Sequence, residues 1–475
     1  MTLNILLAAS EAVPFVKSGG LADVAGSLAK AIRSRSQACR VVLPLYSDIP
    51  QQLRAGMKEI ARFRVELAWR NQYCGVLQAT YNGVKYYFLD NEYYFKRSGL
   101  YGFYDDGERF AFFSRAVLEM LHHIDFEPEI IHCNDWQTAL VPVFLDVFYR
   151  QSEKHRSIKT VFTIHNIQYQ GIFGLEIIQD VLGLPEHAHG MVEYQGNCNY
   201  MKAAIEQCNL LTTVSPTYAQ ELTDPWFAHG LHTLLAQKRD KMRGILNGID
   251  QKAYNPSTDP HLIQNYTACD LSGKAACKQA LQQEMGLEQN PAPLLIGMVT
   301  RLADHKGLDL VQCAFSRLME RQVQFVLLGS GDGQLEQFFR EAASRYPGRV
   351  GIHIGFDEAL ARRIYSGVDL FLMPSRSEPC GLAQMIAMGY GTIPVVRSTG
   401  GLRDSVRDFG GENGNGYTFL SYHADDMLDA ICRACQDFAN PQLWTEHCKV
   451  AMACDFGWGR SALEYISLYR SLLSM

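Results

Sequence analysis

The residues best suited to chemistry stand in short polar loops, each following a buried apolar run. Val299-Thr300-Arg301-Leu302-Ala303-Asp304-His305-Lys306-Gly307 puts two cations on one strand-to-helix loop. An arginine fork and a lysine point charge at the mouth of a sheet can grip a diphosphate. Taken alone, the pair is better read as two solvated surface cations. Met373-Pro374-Ser375-Arg376-Ser377-Glu378-Pro379-Cys380-Gly381-Leu382 follows another strand, and a helix is expected from Gly381. A lone glutamate there is poorly placed for packing, so Glu378 is expected to stand at a cleft. Lys17-Ser18-Gly19-Gly20-Leu21 and Ser398-Thr399-Gly400-Gly401-Leu402 each lead into a helix. Paired glycines let backbone N–H groups and a helix start approach an anion closely. The Lys17 loop lacks the spacing of a dinucleotide fingerprint and of a P-loop.

His132-Cys133-Asn134-Asp135-Trp136 and His165-Asn166-Ile167-Gln168 also follow strands. Carboxylates and amides bond hydroxyls, and an indole covers the apolar side of a pyranose, so this mixture suits a sugar. His132 and His165 could instead hold a metal, but no HExxH or DxD spacing supports one, and none is expected. Cys432 and Cys435 form a CxxC on a predicted helix with no second CxxC, and read as ordinary helix-face thiols.

These loops need sheets to position them. Asn4–Ser10 is a buried strand, residues 21–33 have helical spacing, and residues 40–44 form the next strand, a right-handed βαβ unit. Further strands are predicted near residues 85–89, 129–132, 159–163 and 210–214. The alternation restarts past residue 290, with strands over 294–299, 324–328, 351–354, 370–373 and 393–396. Two successive α/β halves predict two Rossmann-like domains, with ligands beyond the carboxyl ends of the strands. The domains are placed at 1–246 and 247–455, with a helix over 456–475 expected to cross back to the first. Ala462, Tyr465, Tyr469 and Leu472 give that helix an apolar stripe.

Composition agrees. The 475 residues are 47% apolar and 20% charged, which excludes a disordered chain. Lys+Arg total 44 against 50 Asp+Glu, a net charge of -6, whereas nucleic-acid and anionic-membrane binders are more often basic. The early apolar run is too short to span a bilayer, and no basic segment precedes it, so no secretory signal is expected. Thirteen scattered cysteines read as reduced thiols of a cytoplasmic protein.

The chain resembles the bacterial glycogen synthases and plant starch synthases. The matching stretches are Lys17-Ser18-Gly19-Gly20-Leu21-Ala22-Asp23-Val24, residues 90–97, Thr163-Ile164-His165-Asn166, Val214-Ser215-Pro216-Thr217-Tyr218, Leu246-Asn247-Gly248-Ile249-Asp250, Arg301-Leu302 with Lys306-Gly307, Glu378-Pro379-Cys380-Gly381-Leu382 and Thr399-Gly400-Gly401-Leu402. They run in the family's order along nearly the whole chain.

The resemblance implies a GT-B architecture, two Rossmann-like α/β domains facing across a deep cleft. It also implies a retaining transfer of glucose from ADP-glucose to the non-reducing end of an α-1,4-glucan, without a metal or other cofactor. By the same resemblance, Arg301 and Lys306 bind the donor diphosphate and Lys17 approaches it from the facing domain. Gly19, Gly20, Thr399, Gly400 and Gly401 supply backbone contacts. Glu378 faces the glucosyl unit, with Cys380, Gly381 and Leu382 beside it. His165 lies near the anomeric carbon, Asp135 and Asn247 shape the donor and acceptor site, and Phe356 stands where an aromatic meets the adenine. Closure is expected to hinge near Asn247-Gly248 and before the last helix. No carboxylate in these motifs stands as a nucleophile, which favours same-face displacement over a covalent intermediate.

Four positions depart from the family pattern: Cys133-Asn134 before Asp135-Trp136, Ser377 where phenylalanine is usual, Phe356 for the frequent tyrosine, and no glycine over residues 35–39. The rival readings are a related enzyme with a UDP-glucose donor or a non-glucan acceptor, and a non-catalytic glycan-binding paralogue. Retention of Lys17, His165, Arg301, Lys306 and Glu378 together argues against the paralogue.

Overall fold

The computed structural model of the chain describes residues 2–474. The chain divides into two units, Met1–Asn247 with Trp458–Met475, and Gly248–Gly457.

The first unit contains β1 (Asn4–Ala8), β2 (Ala38–Pro44), β3 (Lys58–Leu67), β4 (Arg70–Tyr81), β5 (Val84–Asp90), β6 (Ile130–Asn134) and β7 (Lys159–Ile164). A small side sheet follows, β8 (Ile172–Phe173), β9 (Glu193–Tyr194) and β10 (Asn197–Asn199), and then β11 (Leu210–Thr213) and β12 (Met242–Gly244). The main sheet runs β12-β11-β7-β6-β1-β2-β5-β4-β3. It is parallel from β12 to β5, and β4 and β3 add an antiparallel edge. β1, β6 and β7 are almost wholly buried, as their continuous apolar runs require when helices cover both faces. The β3–β4 hairpin escapes a search for such runs. Along β3 the side chains from Ile60 alternate between water and core, so only every second position is apolar.

The second unit contains β13 (Leu294–Val299), β14 (Val323–Gly329), β15 (Val350–Ile354), β16 (Leu370–Met373), β17 (Ile393–Arg397) and β18 (Tyr417–Phe419). All are parallel, in the order β15-β14-β13-β16-β17-β18. Leu295, Val326 and Leu328 of the sheet close one core layer with Leu281, Leu360, Ile364 and Val368.

Both sheets share one device. The first strand lies inside the sheet, and the chain builds outward to one side before crossing to the other. β1 separates β2 from β6, and β13 separates β14 from β16. The loops leaving these neighbours at their carboxyl ends diverge and leave a crevice.

The last helix, Trp458–Leu473, buries Trp458, Ala462, Tyr465, Ile466, Tyr469 and Leu472. It packs on the helix Gly20–Arg33. Tyr469 Oη lies 2.7 Å from Nδ1 of His132, and His132 Nε2 lies 2.5 Å from Oγ1 of Thr163. Burial holds the His132 ring down to about 3, so it is neutral and serves as a core hydrogen-bonding group. Of the aromatic residues around β5 and the turn that follows it, Tyr86, Tyr87, Tyr94 and Phe95 are buried and Tyr93 is exposed. Cys432 and Cys435 lie on the helix Ala424–Phe438, where burial pushes the Cys435 thiol up to about 11, away from a reactive thiolate.

Tyr469→Phe leaves His132 Nδ1 buried without a partner. We expect a loss of about 1–3 kcal/mol, read as a lower urea midpoint for the first unit, with the folded far-UV spectrum unchanged.

Candidate active site

In the second unit, the site forms where β13 and β16 end. Lys306 Nζ meets Glu378 Oε2 at 2.7 Å, with the Glu378 side chain 9% exposed. Ser375 Oγ donates to the same carboxylate oxygen at 3.1 Å. Arg301 extends from the same loop as Lys306 and is exposed. The two loops are tied directly, since Arg376 N–H donates to the His305 carbonyl at 2.9 Å.

Two glycines make this approach possible. Gly307 has φ +73°, and a Cβ there would stand 2.0 Å from the Pro374 carbonyl oxygen. At Gly401 a Cβ would fall 2.1 Å from the Cys380 carbonyl oxygen, while its N–H donates to the Glu378 carbonyl at 3.1 Å. Any side chain at either place would part the loops that set the ion pair. Burial, and then the Lys306 charge, hold His305 down to about 4, so its ring adds no charge. Thr399 is buried at the start of the six-residue helix Gly400–Ser405, and Cys380 is buried. Gly381, at φ +71°, and Leu382 precede a helix that starts at Ala383, two residues later than expected.

In the first unit, the corresponding crevice lies between the ends of β1 and β6. Asp135 directly follows β6 with φ +55° and ψ 179°, a strained conformation costing about 1–3 kcal/mol. Its Oδ1 accepts the His165 N–H at 2.7 Å. Burial raises the carboxyl to about 7, against the pull of the His165 and Asn166 amides.

His165 is fixed by Asn134. The Asn134 amide donates to the carbonyls of Ala8 and His132, at 3.0 and 3.2 Å. Its Oδ1 must therefore face His165 Nε2, 2.9 Å away, and that nitrogen carries the proton. Burial lowers His165 to about 3, so the ring is neutral.

The Lys17 loop joins the helix Gly20–Arg33, whose opening turn has no side-chain cap. Lys17 Nζ pairs with Asp23 at 2.8 Å. The Ser18 and Gly19 N–H groups turn toward Glu11, buried after β1. Burial raises Glu11, hydrogen bonds from the Ser18 N–H and side chain and from the Gly19 N–H pull it down by less, and the Asp23 charge adds a small push upward. Sequence reasoning missed Glu11, although it carries the signal that singled out Glu378: a carboxylate in a loop directly after a buried strand.

The remaining expected residues are more scattered. Asn247 ends the first unit, is buried, and has an Oδ1 without a hydrogen-bond partner. Phe356 is 85% exposed on the loop after β15, two strands from β13. The structure thus brings Arg301, Lys306, Glu378 and Gly401 together in one unit, and Asp135 with His165 in the other. Among the described residues no three His, Cys, Asp or Glu side chains gather to hold a metal ion. No helix of the described residues is long and apolar enough to cross a membrane.

Comparison with known proteins agrees with this geometry. The family model "Starch synthase catalytic domain" matches residues 4–237, and "Glycosyl transferases group 1" matches residues 283–447. The glycogen synthase of Alkaliphilus metalliredigens is 48% identical, over 99% of this chain and 100% of that one. That of Bacillus anthracis is 49% identical, with the same coverage. Among solved structures, the catalytic domain of starch synthase IV from Arabidopsis thaliana, bound to ADP and acarbose, superposes with a TM-score of 0.93 at 35% identity and 100% coverage of both chains. Sucrose-phosphate synthase from Thermosynechococcus elongatus, with a TM-score of 0.62, 18% identity and 99% coverage of both chains, shares the fold. With its two parallel-sheet units, the chain has the GT-B fold. On full-length identity and this paired architecture, the chain belongs to the glycogen and starch synthase family of glucosyltransferases.

Proposed function

We propose that the chain transfers glucose from ADP-glucose to the non-reducing 4-hydroxyl of an α-1,4-glucan such as glycogen, with retention and without a metal cofactor. The observation that carries this is the Lys306–Glu378 pair at the switch point of a parallel sheet, with Arg301 on the same loop. The starch synthase IV neighbour, bound to ADP and acarbose, supports both the nucleotide and the glucan side.

As the C1–O bond breaks, positive charge grows on the sugar and negative charge on the departing ADP. Arg301 and Lys306 stabilise that negative charge more in the transition state than in the ground state. Lys306 then exchanges part of its contact with Glu378 for phosphate oxygens, and the Glu378 carboxylate faces the glucosyl unit. Lys17 serves the same diphosphate, as do the backbone groups of Gly20 and Gly400, while Gly19, Thr399 and Gly401, whose N–H groups are engaged within the protein, shape the loops around them. Cys380, Gly381 and Leu382 hold the backbone around Glu378, and Phe356 offers an aromatic face to adenine. Asn247 directs its unpartnered oxygen to a sugar hydroxyl. Neutral His165 lies beside the anomeric carbon, where an imidazolium would oppose the developing charge.

Asp135 fits this role because keeping it is costly. Its folded carboxyl, near 7, sits above the ordinary 3.8, so it opposes folding once pH rises above 3.8 and most strongly above 7. Thirteen free cysteines, eight of them buried, favour a reducing, cytoplasmic setting.

Three outcomes test the proposal. The purified chain, given ADP-[14C]glucose and glycogen with excess EDTA, is expected to label the polymer. Labelling only from UDP-glucose would replace the donor, and dependence on restored divalent metal would remove the metal-free step. Arg301→Ala and Lys306→Ala are each expected to cut turnover by about 10²–10³ with the melting point retained; near-normal rates in both would end the assignment. Asp135→Asn should lose activity yet raise the unfolding midpoint at pH 8, the gain shrinking toward pH 4. Each pH unit by which the group is displaced is worth about 1.4 kcal/mol. An unchanged or lower midpoint at pH 8 would show that the carboxylate does not oppose folding.

A further inference from the structure

The Lys17 loop is closed on itself at three places. Phe15 and Val16 N–H groups return to the Ala12 carbonyl at 3.0 and 3.1 Å. Val13 N–H donates to the Ala22 carbonyl at 3.1 Å, fixing the loop against the first turn of the following helix. The third tie is Ser18 N–H to Glu11 Oε2. Of the three, only this one uses a side chain, and it holds the backbone on the helix side of Lys17.

Glu11 is 3% exposed, and its partners are the Ser18 and Gly19 N–H groups together with the Ser18 side chain. A buried carboxylate is expensive to keep unless its position matters, and an amide would serve the same N–H group without the charge. Asp23 and Asp135 also act on it electrostatically, and both repel it. Three carboxylates thus converge around a loop whose single cation is Lys17.

We propose that Glu11 is a positioning residue for glucosyl transfer, gripping the Ser18–Gly19 backbone and so fixing where the Lys17 ammonium stands when the sugar nucleotide binds. This rests on the proposed use of Lys17 at the donor diphosphate. The N–H groups of Ser18 and Gly19 are then the loop's anchor, and the diphosphate meets Lys17.

The test is a thermodynamic cycle on the full chain with Glu11→Ala, Glu11→Gln, Lys17→Ala and the double variants. Donor KM, kcat with saturating glycogen, the Kd for ADP and the melting point are measured for each. Glu11→Ala is expected to raise donor KM and ADP Kd by about tenfold, with kcat changed less than about twofold. Glu11→Gln, which keeps one acceptor oxygen, should fall between it and wild type. In the Lys17→Ala background either change should add less than about twofold, because the group being positioned is gone. If the effects multiply instead, or if Glu11 variants shift the melting point and leave KM and Kd alone, Glu11 is a structural anchor only and the proposal falls. Should Glu11→Ala fail to fold, Glu11→Gln decides by the same criteria. A wild-type chain that transfers glucose while the cycle is additive overturns this proposal alone; one that neither transfers glucose nor binds ADP overturns the functional proposal as well.

Discussion

Everything at the site depends on one topological constraint: in each sheet the first strand lies inside, so the loops on its two sides must part. That constraint is a property of the backbone, and it determines which positions in the sequence are free for chemistry. After β13 the chain turns one way and after β16 the other, and Lys306 and Glu378 stand on the two lips. The lips must still come within a hydrogen bond of each other, and Gly307 and Gly401 permit that by having no side chain. Topology opens the crevice, and two missing Cβ atoms set its width.

The two halves then divide the electrostatic work. The second unit supplies two cations on one loop, exposed Arg301 and Lys306 in its ion pair, suited to a ligand that arrives with its own negative charge. The first unit supplies neutral and reluctant groups: a histidine kept uncharged, an aspartate whose carboxyl is raised to about 7, and a strained backbone at the same residue. Groups of the second kind destabilise the free protein, and strain of that sort persists only where surrounding structure overrides it. Their clustering at the ends of β1, β6 and β7 marks this as a place shaped for a substrate.

Much of this was legible in the sequence because buried parallel strands write themselves as apolar runs. The ends of β13 and β16 could be located to the residue and that of β17 to within one, and Arg301, Lys306, Glu378 and Gly401 with them. What stayed hidden has physical causes. The β3–β4 hairpin shows one face to water, so its pattern has period two and no run. The histidines were visible, but not their state: the His132 ring belongs to the core through Tyr469, more than three hundred residues away, and the His165 proton is decided by which way the Asn134 amide points. Asn134 stood out in the sequence as a sugar-site amide and as a departure from the family pattern, not as the group that orients His165. Glu11 stands after a buried strand as Glu378 does, but the N–H groups it holds lie seven and eight residues further on, a pairing that the sequence does not display. Phe356 shows the reverse case, a residue selected by resemblance whose position beside an edge strand nothing in its own sequence would suggest.

The final helix belongs to the first unit, although the whole of the second lies between them in the chain. On the ribosome, residues 248–457 emerge as one uninterrupted segment and can fold as they appear. The amino-terminal sheet, synthesised earlier, is completed only when the helix Trp458–Leu473 has emerged and Tyr469 reaches His132. Translation therefore completes the two halves in the opposite order to that in which it begins them, and a chain cut short by a few turns of helix would carry a finished carboxyl-terminal half beside an unfinished partner.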